Sequence, residues 1–344
     1  MSDGFLRLSA LFEPTADLSI NSMAYLSKRL LRARHWVIAG SLAFFASAHA
    51  AEGVRVLSDV SFLGEGRSEK LDLYLPPESA PRLDGAKRRP AVVYFHGGGW
   101  VRGDKATERE KNIGQGLADS GYVFVTANYI LGPNAWPKNL QDCKNAVRFL
   151  RANAARYGVH PDRIAAMGTS AGGHLALMAA YTADAGPKEF EPEQPYPQVS
   201  SAVRAVVNFY GMTNLLTRQL ALPDGTPTGT PADSNSPAVL GATRTEDPAR
   251  WRQASPVTHV SKAVPPTFIV HGLSDPTVDY VQAVELANAL RAHGVAHELM
   301  LLEGIGHMFH LDEWNGQPMR DLTPAVVAFL DAHVGLPRLA PATK

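Results

Sequence analysis

Cysteine is nearly absent from this chain, and neither sign of charge dominates it. Cys143 is the one cysteine among 344 residues, which excludes an intrachain disulfide. Lysine and arginine together number 33, as do aspartate and glutamate, so the positive excess typical of nucleic-acid-binding proteins is missing. The histidines show none of the spacings typical of metal ligands. We therefore expect no nucleic-acid partner and no metal site.

The first fifty residues lack the pattern of a folded domain. A basic cluster, Lys28–Arg34, precedes an apolar run, Trp36–Phe45, that is too short to span a bilayer. Ala48–Ala50 then matches a small-x-small cleavage pattern. This order predicts a signal peptide over about residues 23–50, export to the periplasm or the medium, and no stable membrane anchor. A buried N-terminal helix is the alternative, and residues 1–22 are either a genuine leader or an over-extended gene start.

Beyond the leader, predicted strands and helices alternate, which indicates an α/β fold with a mostly parallel central sheet and helices on both faces. The predicted strands are 54–60, 70–75, 91–95, 122–125, 164–167, 205–209, 267–270 and 297–302. The predicted helices are 108–119, 139–157, 175–181, 281–292 and 323–334. We expect one domain over residues 51–336 and a tail over 337–344. Cys143 falls on an apolar helical stripe and is interpreted as a packing residue.

The segment Gly168–Gly172 has the pattern G-x-S-x-G and lies between a predicted strand and a predicted helix. In that context the turn is tight and strained, and it exposes the hydroxyl of Ser170 above the sheet. Glycine at both ends of the pattern leaves room for the close approach of strand and helix. A glycine-rich loop that carries a serine by chance is the alternative, and the flanking elements favour a nucleophile.

A serine hydroxyl needs a base to take its proton and an acid to orient that base. Asp275 directly follows the predicted strand 267–270, and His307 follows the next strand, 297–302. The order Ser, Asp, His is that of an α/β-hydrolase. We therefore predict Ser170 as nucleophile, Asp275 as acid and His307 as base.

Other ionisable residues compete for these roles. Asp279 is the rival acid, but we expect it to enter the helix that follows. His310 is the rival base, although the glycines before His307 favour that residue. His174 and His271 are interpreted as a hydrogen-bonding neighbour of the serine and as a structural residue.

An oxyanion intermediate needs backbone N–H donors. The run His96–Trp100 follows the apolar strand 91–95 and contains Gly97, Gly98 and Gly99, whose N–H groups no side chain shields. Ala171, the residue after the nucleophile, supplies another N–H from the start of a helix. The sequence thus predicts an oxyanion hole formed by N–H groups of the glycine run and of Ala171.

The substrate pocket is less well defined by the sequence. Four aromatic side chains are candidates for its lining, and each is equally compatible with a place in the core: Trp100, Tyr210, Phe309 and Trp314. His174, beside the serine turn, is a fifth candidate. Residues 183–200 and 217–250 break the alternation of strands and helices. Each segment is either a solvated surface loop or a lid over the site.

Together these motifs resemble those of α/β-hydrolase carboxylesterases, near the hormone-sensitive-lipase-like branch and nearer still to bacterial feruloyl-esterase-like (BD-FAE) enzymes. The likeness covers roughly residues 54–335 and is carried by His96–Trp100, Gly168–Gly173, His271–Asp275 and Gly306-His307. It implies a serine esterase that uses no cofactor and forms an acyl-enzyme. Feruloyl, acetyl and other short-chain or aryl esters, free or linked to a polymer, are the implied substrates. It also implies oxyanion donors at Gly98, Gly99 and Ala171, with Gly97 a candidate. At Ile130 many relatives have arginine.

Three other functions are considered. A kynurenine-formamidase-like amidase shares the H-G-G-x-W motif, but the predicted export argues against that cytoplasmic reaction. A peptidase of the prolyl-oligopeptidase kind would need a propeller, for which the chain has no room. An inactive binding module would normally have lost Ser170, Asp275 or His307. The acyl group, the alcohol group and the oligomeric state stay open.

Overall fold

The computed structural model describes residues 53–81, 88–218 and 235–335. The predicted signal peptide, the predicted tail and residues 219–234 lie outside the described residues. In the described ranges, no helix is both long and apolar enough to cross a membrane.

The central sheet is mostly parallel, as predicted. Its strands are β1 (Arg55–Ser61), β2 (Lys70–Leu75), β3 (Arg89–Phe95), β4 (Val123–Ala127), β5 (Val159–Thr169), β6 (Val206–Phe209), β7 (Thr267–Gly272) and β8 (His297–Leu302). Their order in the sheet is β1-β2-β4-β3-β5-β6-β7-β8. Within this sheet, as the structure describes it, β1 with β2 and β2 with β4 pair antiparallel, and the other neighbours are parallel. The carboxyl ends of β3 to β8 therefore meet at one edge, where ligands of such sheets bind.

Helices cover both faces of this sheet. They are α1 (Glu108–Asp119), α2 (Lys138–Ala152), α3 (Ala154–Tyr157), α4 (Ala171–Tyr181), α5 (Ser236–Leu240), α6 (Pro248–Gln253), α7 (Val281–Ala292) and α8 (Thr323–His333). Short 3-10 turns lie at Lys188–Phe190 and Pro256–His259, and a small hairpin pairs β9 (Glu313–Trp314) with β10 (Gln317–Pro318). Leu140, Cys143 and Leu175 pack in one buried layer, whereas Leu117 and Phe329 pack in the other. The predicted α/β architecture and the packing role of Cys143 agree with this arrangement.

Several elements differ from their predicted bounds. The predicted helix 139–157 is two helices, because Asn153 leaves the helical conformation and its side chain donates to the carbonyl of Phe149 at 2.9 Å. The helix expected over 175–181 begins four residues earlier, at Ala171. Gly172 and Gly173, which belong to the serine motif, already lie in its first helical turn. Two unpredicted helices interrupt the expected loop: α5 lies in the segment 217–250, and α6 begins at the end of that segment. In α6, Asp247 caps the helix by accepting from the Arg250 N–H at 2.9 Å, and proline follows the cap.

A buried ion pair lies beside Ile130, where the sequence departs from many relatives. Asp142 is 3% exposed and accepts from two nitrogens of Arg67, at 3.1 and 2.6 Å. Its Oδ2 also accepts from the backbone N–H of Ile130 at 2.9 Å. The cation that pairs with Asp142 therefore comes from the turn between β1 and β2, while residue 130 contributes only its backbone.

Candidate active site

Ser170 makes the turn between β5 and α4. Its backbone has φ 52° and ψ −121°, a sparsely populated conformation for a residue with a side chain, which persists only where the surroundings hold it. A Cβ on Gly168 would lie 2.2 Å from the carbonyl oxygen of Gly172, and one on Gly172 would lie 2.0 Å from that of Phe95. Any larger residue would push strand and helix apart, so both glycines are required for the serine turn, in which Ser170 is 9% exposed.

Three side chains distant in the sequence form one hydrogen-bonded chain. His307 Nε2 lies 3.0 Å from Ser170 Oγ, and His307 Nδ1 lies 2.7 Å from Asp275 Oδ2. Asp275 follows β7 and His307 follows the neighbouring strand β8. The structure therefore brings together the residues predicted as nucleophile, acid and base. The ring of His310, the rival base, instead lies 3.5 Å from Asp312.

The carboxylate of Asp275 is fully buried and has partners on both oxygens. Oδ1 accepts from the backbone N–H groups of Thr277 and Val278, at 2.8 and 2.9 Å. Oδ2 faces His307 Nδ1 and, at 3.4 Å, His271 Nε2, which also donates to the Val278 carbonyl at 2.9 Å. Burial alone would raise the pKa of Asp275, but the hydrogen bonds from the two histidines outweigh it and hold that pKa well below its usual range. The acid is therefore ionised, and His271 is a second donor to it that the sequence analysis did not assign.

The glycine loop after β3 lies against the serine turn. A Cβ on Gly97 would lie 3.3 Å from Ser170 Cβ. Gly98 and Gly99 have φ values of 122° and 61°, which only glycine adopts readily. Ala171 opens α4, and N–H groups of a first helical turn have no partner within the helix. Loop and helix can thus offer backbone donors to an oxygen bound at Ser170.

His96 holds this loop in place. Its Nδ1 donates to the Gly97 carbonyl at 2.8 Å, and its own carbonyl accepts from the Tyr129 hydroxyl at 2.7 Å. The His96 and Tyr129 rings stack with centroids 4.5 Å apart. Burial lowers the pKa of His96, so the ring is neutral near pH 7 and adds no charge beside the site.

The amino-acid sequence matches the BD-FAE family model over residues 71–290. The chain belongs to the BD-FAE family. It is 33% identical over 234 residues to the probable carboxylic ester hydrolase LipM of Mycobacterium tuberculosis, covering 68% of this chain and 51% of that protein. It is 30% identical over 264 residues to the ethyl acetate hydrolase of Pseudomonas putida, covering 74% and 75%. The chain spans about half the length of the mycobacterial relatives it matches.

Solved structures show the same architecture. A truncated carbohydrate esterase from gut microbiota superposes with a TM-score of 0.69 at 23% identity, covering 82% of this chain and 98% of the other. Esterase 2 of Thermogutta terrifontis, phosphorylated by paraoxon, superposes with a TM-score of 0.61 at 26% identity, covering 81% and 94%. These likenesses confirm the predicted α/β-hydrolase fold of this BD-FAE protein.

Four of the five candidate pocket residues fall into two groups. Tyr210 and Phe309 are fully buried in the core, and their ring centroids lie 4.6 Å apart. The Tyr210 hydroxyl donates a hydrogen bond to the Phe309 carbonyl at 2.7 Å. Tyr210 also meets the ring of His307 edge-on at 4.6 Å. Both residues therefore pack in the core beside the His307 loop. Trp100 and His174 do line a cavity, between the glycine loop and α4.

The described part of the segment 217–250 borders the glycine loop. A Cβ on Gly99 would lie 2.4 Å from Asn235 Nδ2, so this side chain covers the loop. The segment 183–200 is anchored instead by Phe190, which is fully buried and packs its ring 5.2 Å from that of Trp136. Across residues 53–81, 88–218 and 235–335, no group of three or more His, Cys, Asp or Glu side chains could hold a metal ion.

Proposed function

We propose that this BD-FAE protein is a serine carboxylesterase that hydrolyses carboxylic esters through an acyl-enzyme on Ser170. The observation that carries the proposal is the hydrogen-bonded chain from Ser170 Oγ through His307 to Asp275, with distances of 3.0 and 2.7 Å. The relatives named carboxylic ester hydrolase and ethyl acetate hydrolase support it.

Acylation begins at the serine hydroxyl. His307 Nε2 is within hydrogen-bonding distance of Ser170 Oγ and takes its proton as Oγ attacks the ester carbonyl carbon. The buried carboxylate of Asp275 accepts from His307 Nδ1, which keeps the lone pair of the neutral ring on Nε2. That carboxylate also stabilises the imidazolium formed in this step. His307 then gives the proton to the leaving alcohol.

The negative charge that develops on the carbonyl oxygen is stabilised by backbone N–H groups of Gly98, Gly99 and Ala171, with Gly97 a further candidate. Their positions around the serine turn are fixed before the substrate arrives, so no reorganisation is needed during the reaction. Removing one such donor in other serine hydrolases costs about 10²–10³-fold in kcat.

Deacylation repeats the chemistry with water. His307 accepts a proton from a water molecule, the resulting hydroxide attacks the acyl carbonyl, and the acid leaves as Ser170 recovers its proton. The residues of this chain thus supply nucleophile, base and oxyanion donors. Small esters are the proposed substrate class, in keeping with the ethyl acetate hydrolase relative.

Replacement of Ser170 by alanine tests the proposal. We expect kcat for p-nitrophenyl acetate to fall by roughly 10⁴-fold or more, because the nucleophile is lost while the oxyanion donors remain. Ser58→Ala is the matched control, since this exposed serine lies on the edge strand β1. Its kcat should equal that of the wild type. A kcat of Ser170→Ala within tenfold of the wild-type value would contradict the assignment of Ser170 as the nucleophile.

Parallel assays separate the alternative reactions. N-formylkynurenine and a dipeptide anilide report amidase and peptidase activity under the same conditions. We expect kcat/KM to be highest for the acetate ester. A higher value for N-formylkynurenine would assign the protein as a formamidase, and no turnover of any substrate would favour the binding-module alternative.

A further inference from the structure

The first turn of α1 contains a fully buried carboxylate that the proposed mechanism does not use, that of Glu110. Its Oε1 accepts hydrogen bonds from Arg109 Nε at 3.1 Å and from the Tyr94 hydroxyl at 3.3 Å. Its other oxygen accepts from the Thr107 hydroxyl. Because burying a carboxylate costs several kcal/mol in desolvation, apolar packing alone would not place one here.

The Tyr94 hydroxyl connects this carboxylate to the residue that precedes the nucleophile. The Tyr94 hydroxyl oxygen lies 2.8 Å from Thr169 Oγ1, and both residues are fully buried. A tyrosine hydroxyl has one proton, and that of Tyr94 goes to Glu110, so the Thr169 hydroxyl is the donor in its bond to Tyr94. Glu110, Tyr94 and Thr169 form what we call the hydroxyl chain. The carboxylate at its end fixes the direction of both hydrogen bonds.

Strand geometry explains why these side chains meet. Tyr94 of β3 lies opposite Met167 of β5 in the parallel pairing of the two strands. Both side chains belong to the buried layer that also contains Leu117 of α1. Side chains alternate along a strand, so Thr169, two residues beyond Met167, faces the same layer. The first turn of α1 brings Glu110 to that layer.

Thr169 also contacts the parts of the proposed site. It is bonded directly to Ser170, whose φ of 52° persists only where the surroundings hold it. The Ser170 N–H donates to the Phe209 carbonyl at 2.9 Å, which holds the turn from the side of β6. The hydroxyl chain holds it from the side of β3. A Cβ on Gly97 would lie 3.4 Å from Thr169 Oγ1, so the same hydroxyl borders the glycine loop.

We propose that Thr169 is a positioning residue for Ser170, and that its hydroxyl, held by Tyr94 and Glu110, fixes the serine turn in the geometry needed for attack. The proposal rests on the proposed function and adds to it a residue that does not touch the substrate. Attack depends steeply on geometry, since a misplacement of about 1 Å costs about 10²-fold. Loss of the hydroxyl should therefore lower kcat and leave KM nearly unchanged.

Ethyl acetate hydrolysis, followed by pH-stat titration, measures this effect. Ethanol is a poor leaving group, so acylation is the slow step and KM reflects binding. Active sites are counted from the p-nitrophenolate that paraoxon (diethyl p-nitrophenyl phosphate) has released at completion, and kcat is expressed per active site. Loss of folded protein lowers this count, whereas a misplaced nucleophile lowers kcat per site.

The variants Thr169→Val and Thr169→Ser differ in the hydroxyl. Valine keeps the β-branched shape and deletes the hydroxyl alone. We expect its kcat per active site to fall about tenfold, which corresponds to about 1.4 kcal/mol, the net worth of one hydrogen bond, with KM within twofold of the wild-type value. Serine keeps a hydroxyl at this position and should restore kcat to within about threefold of the wild type.

Another buried tyrosine–threonine pair provides a matched control. The hydroxyl oxygens of Tyr181 and Thr267 lie 2.7 Å apart, and Thr267 is the first residue of β7, at the opposite end of the strand from the proposed site. Tyr181→Phe and Tyr94→Phe thus remove the same kind of hydrogen bond and should lower the midpoint of thermal unfolding similarly. We expect kcat per active site to fall about fivefold or more in Tyr94→Phe and to stay within twofold of the wild type in Tyr181→Phe.

A kcat per active site of Thr169→Val within twofold of the wild-type value would overturn the proposal, as would equal losses in Thr169→Val and Thr169→Ser. Equal losses in Tyr94→Phe and Tyr181→Phe would also overturn it, because general destabilisation would then be the cause. If Thr169→Val does not fold, the comparison of the two tyrosine variants decides alone. Failure of the proposed function is a different result: ethyl acetate is not hydrolysed, and Ser170→Ala matches the wild type on p-nitrophenyl acetate.

Discussion

Replacing Asp275 by asparagine should invert the hydrogen bond that orients His307. Two backbone N–H groups, of Thr277 and Val278, point at Oδ1 from 2.8 and 2.9 Å. In the variant only the amide oxygen can accept them, so the amide nitrogen must face His307. That nitrogen is a donor, and His307 Nδ1 must then present its lone pair to it. The ring proton moves to Nε2, where it blocks acceptance of the Ser170 proton.

The expected loss follows from this tautomer. An equivalent substitution in other serine hydrolases costs about 10⁴-fold in kcat, which corresponds to about 5 kcal/mol of transition-state stabilisation. Because the two backbone donors leave the amide no alternative orientation, we expect Asp275→Asn to lose at least about 10³-fold in kcat on p-nitrophenyl acetate at pH 7.5. The fold should persist, since the amide keeps the size and one acceptor of the carboxylate.

Asp279→Asn is the matched control. Asp279, the rival acid of the sequence analysis, is also fully buried and precedes α7. Its kcat should stay within about tenfold of the wild type, with both variants checked by near-ultraviolet circular dichroism. A nearly silent Asp275→Asn beside a severe Asp279→Asn would refute the reasoning and transfer the acid role to Asp279.

Two further predictions concern stability and export. Burial lowers the pKa of His174 from 6.5 to about 4, so between these values the unfolded chain binds a proton that the folded chain does not. The free energy of unfolding should therefore fall by on the order of 3 kcal/mol as the pH drops through this window. In His174→Gln this fall should be absent when the free energy is measured by urea unfolding at several pH values. The same pH dependence in variant and wild type would contradict the prediction. Expression from Met23 should yield an exported protein whose N-terminal sequence begins at Ala51, and a full-length chain retained in the cytoplasm would contradict the predicted signal peptide.

The predicted candidate residues came from local patterns that the structure places at one edge of the sheet. Ser170, Asp275 and His307 each follow a predicted strand, and parallel strands bring their carboxyl ends together. The glycine loop was found for the same reason. These predictions do not depend on the order of strands in the sheet, because each motif directly follows the carboxyl end of a predicted strand.

The features that the sequence did not predict depend on long-range contacts. Asn235 lies in a segment without apolar periodicity, so no local pattern places its side chain beside Gly99. The pairing of Arg67 with Asp142 joins residues 75 positions apart. His271 can donate to Asp275 because the chain bends after β7 and brings the Asp275 carboxylate back beside the His271 ring. The predicted order of strands and helices gives no information about this bend.

Covalent trapping of the nucleophile tests the central claim most directly. Diethyl p-nitrophenyl phosphate (paraoxon) can transfer its phosphoryl group to an activated serine hydroxyl. The similar Thermogutta terrifontis esterase 2 has been solved phosphorylated by this compound. Peptide mass spectrometry of the treated protein should find one diethylphosphoryl group per chain, on Ser170, with loss of esterase activity in proportion to the modified fraction. A modification on another residue that abolishes activity, or undiminished ester hydrolysis with Ser170 fully modified, would contradict the account.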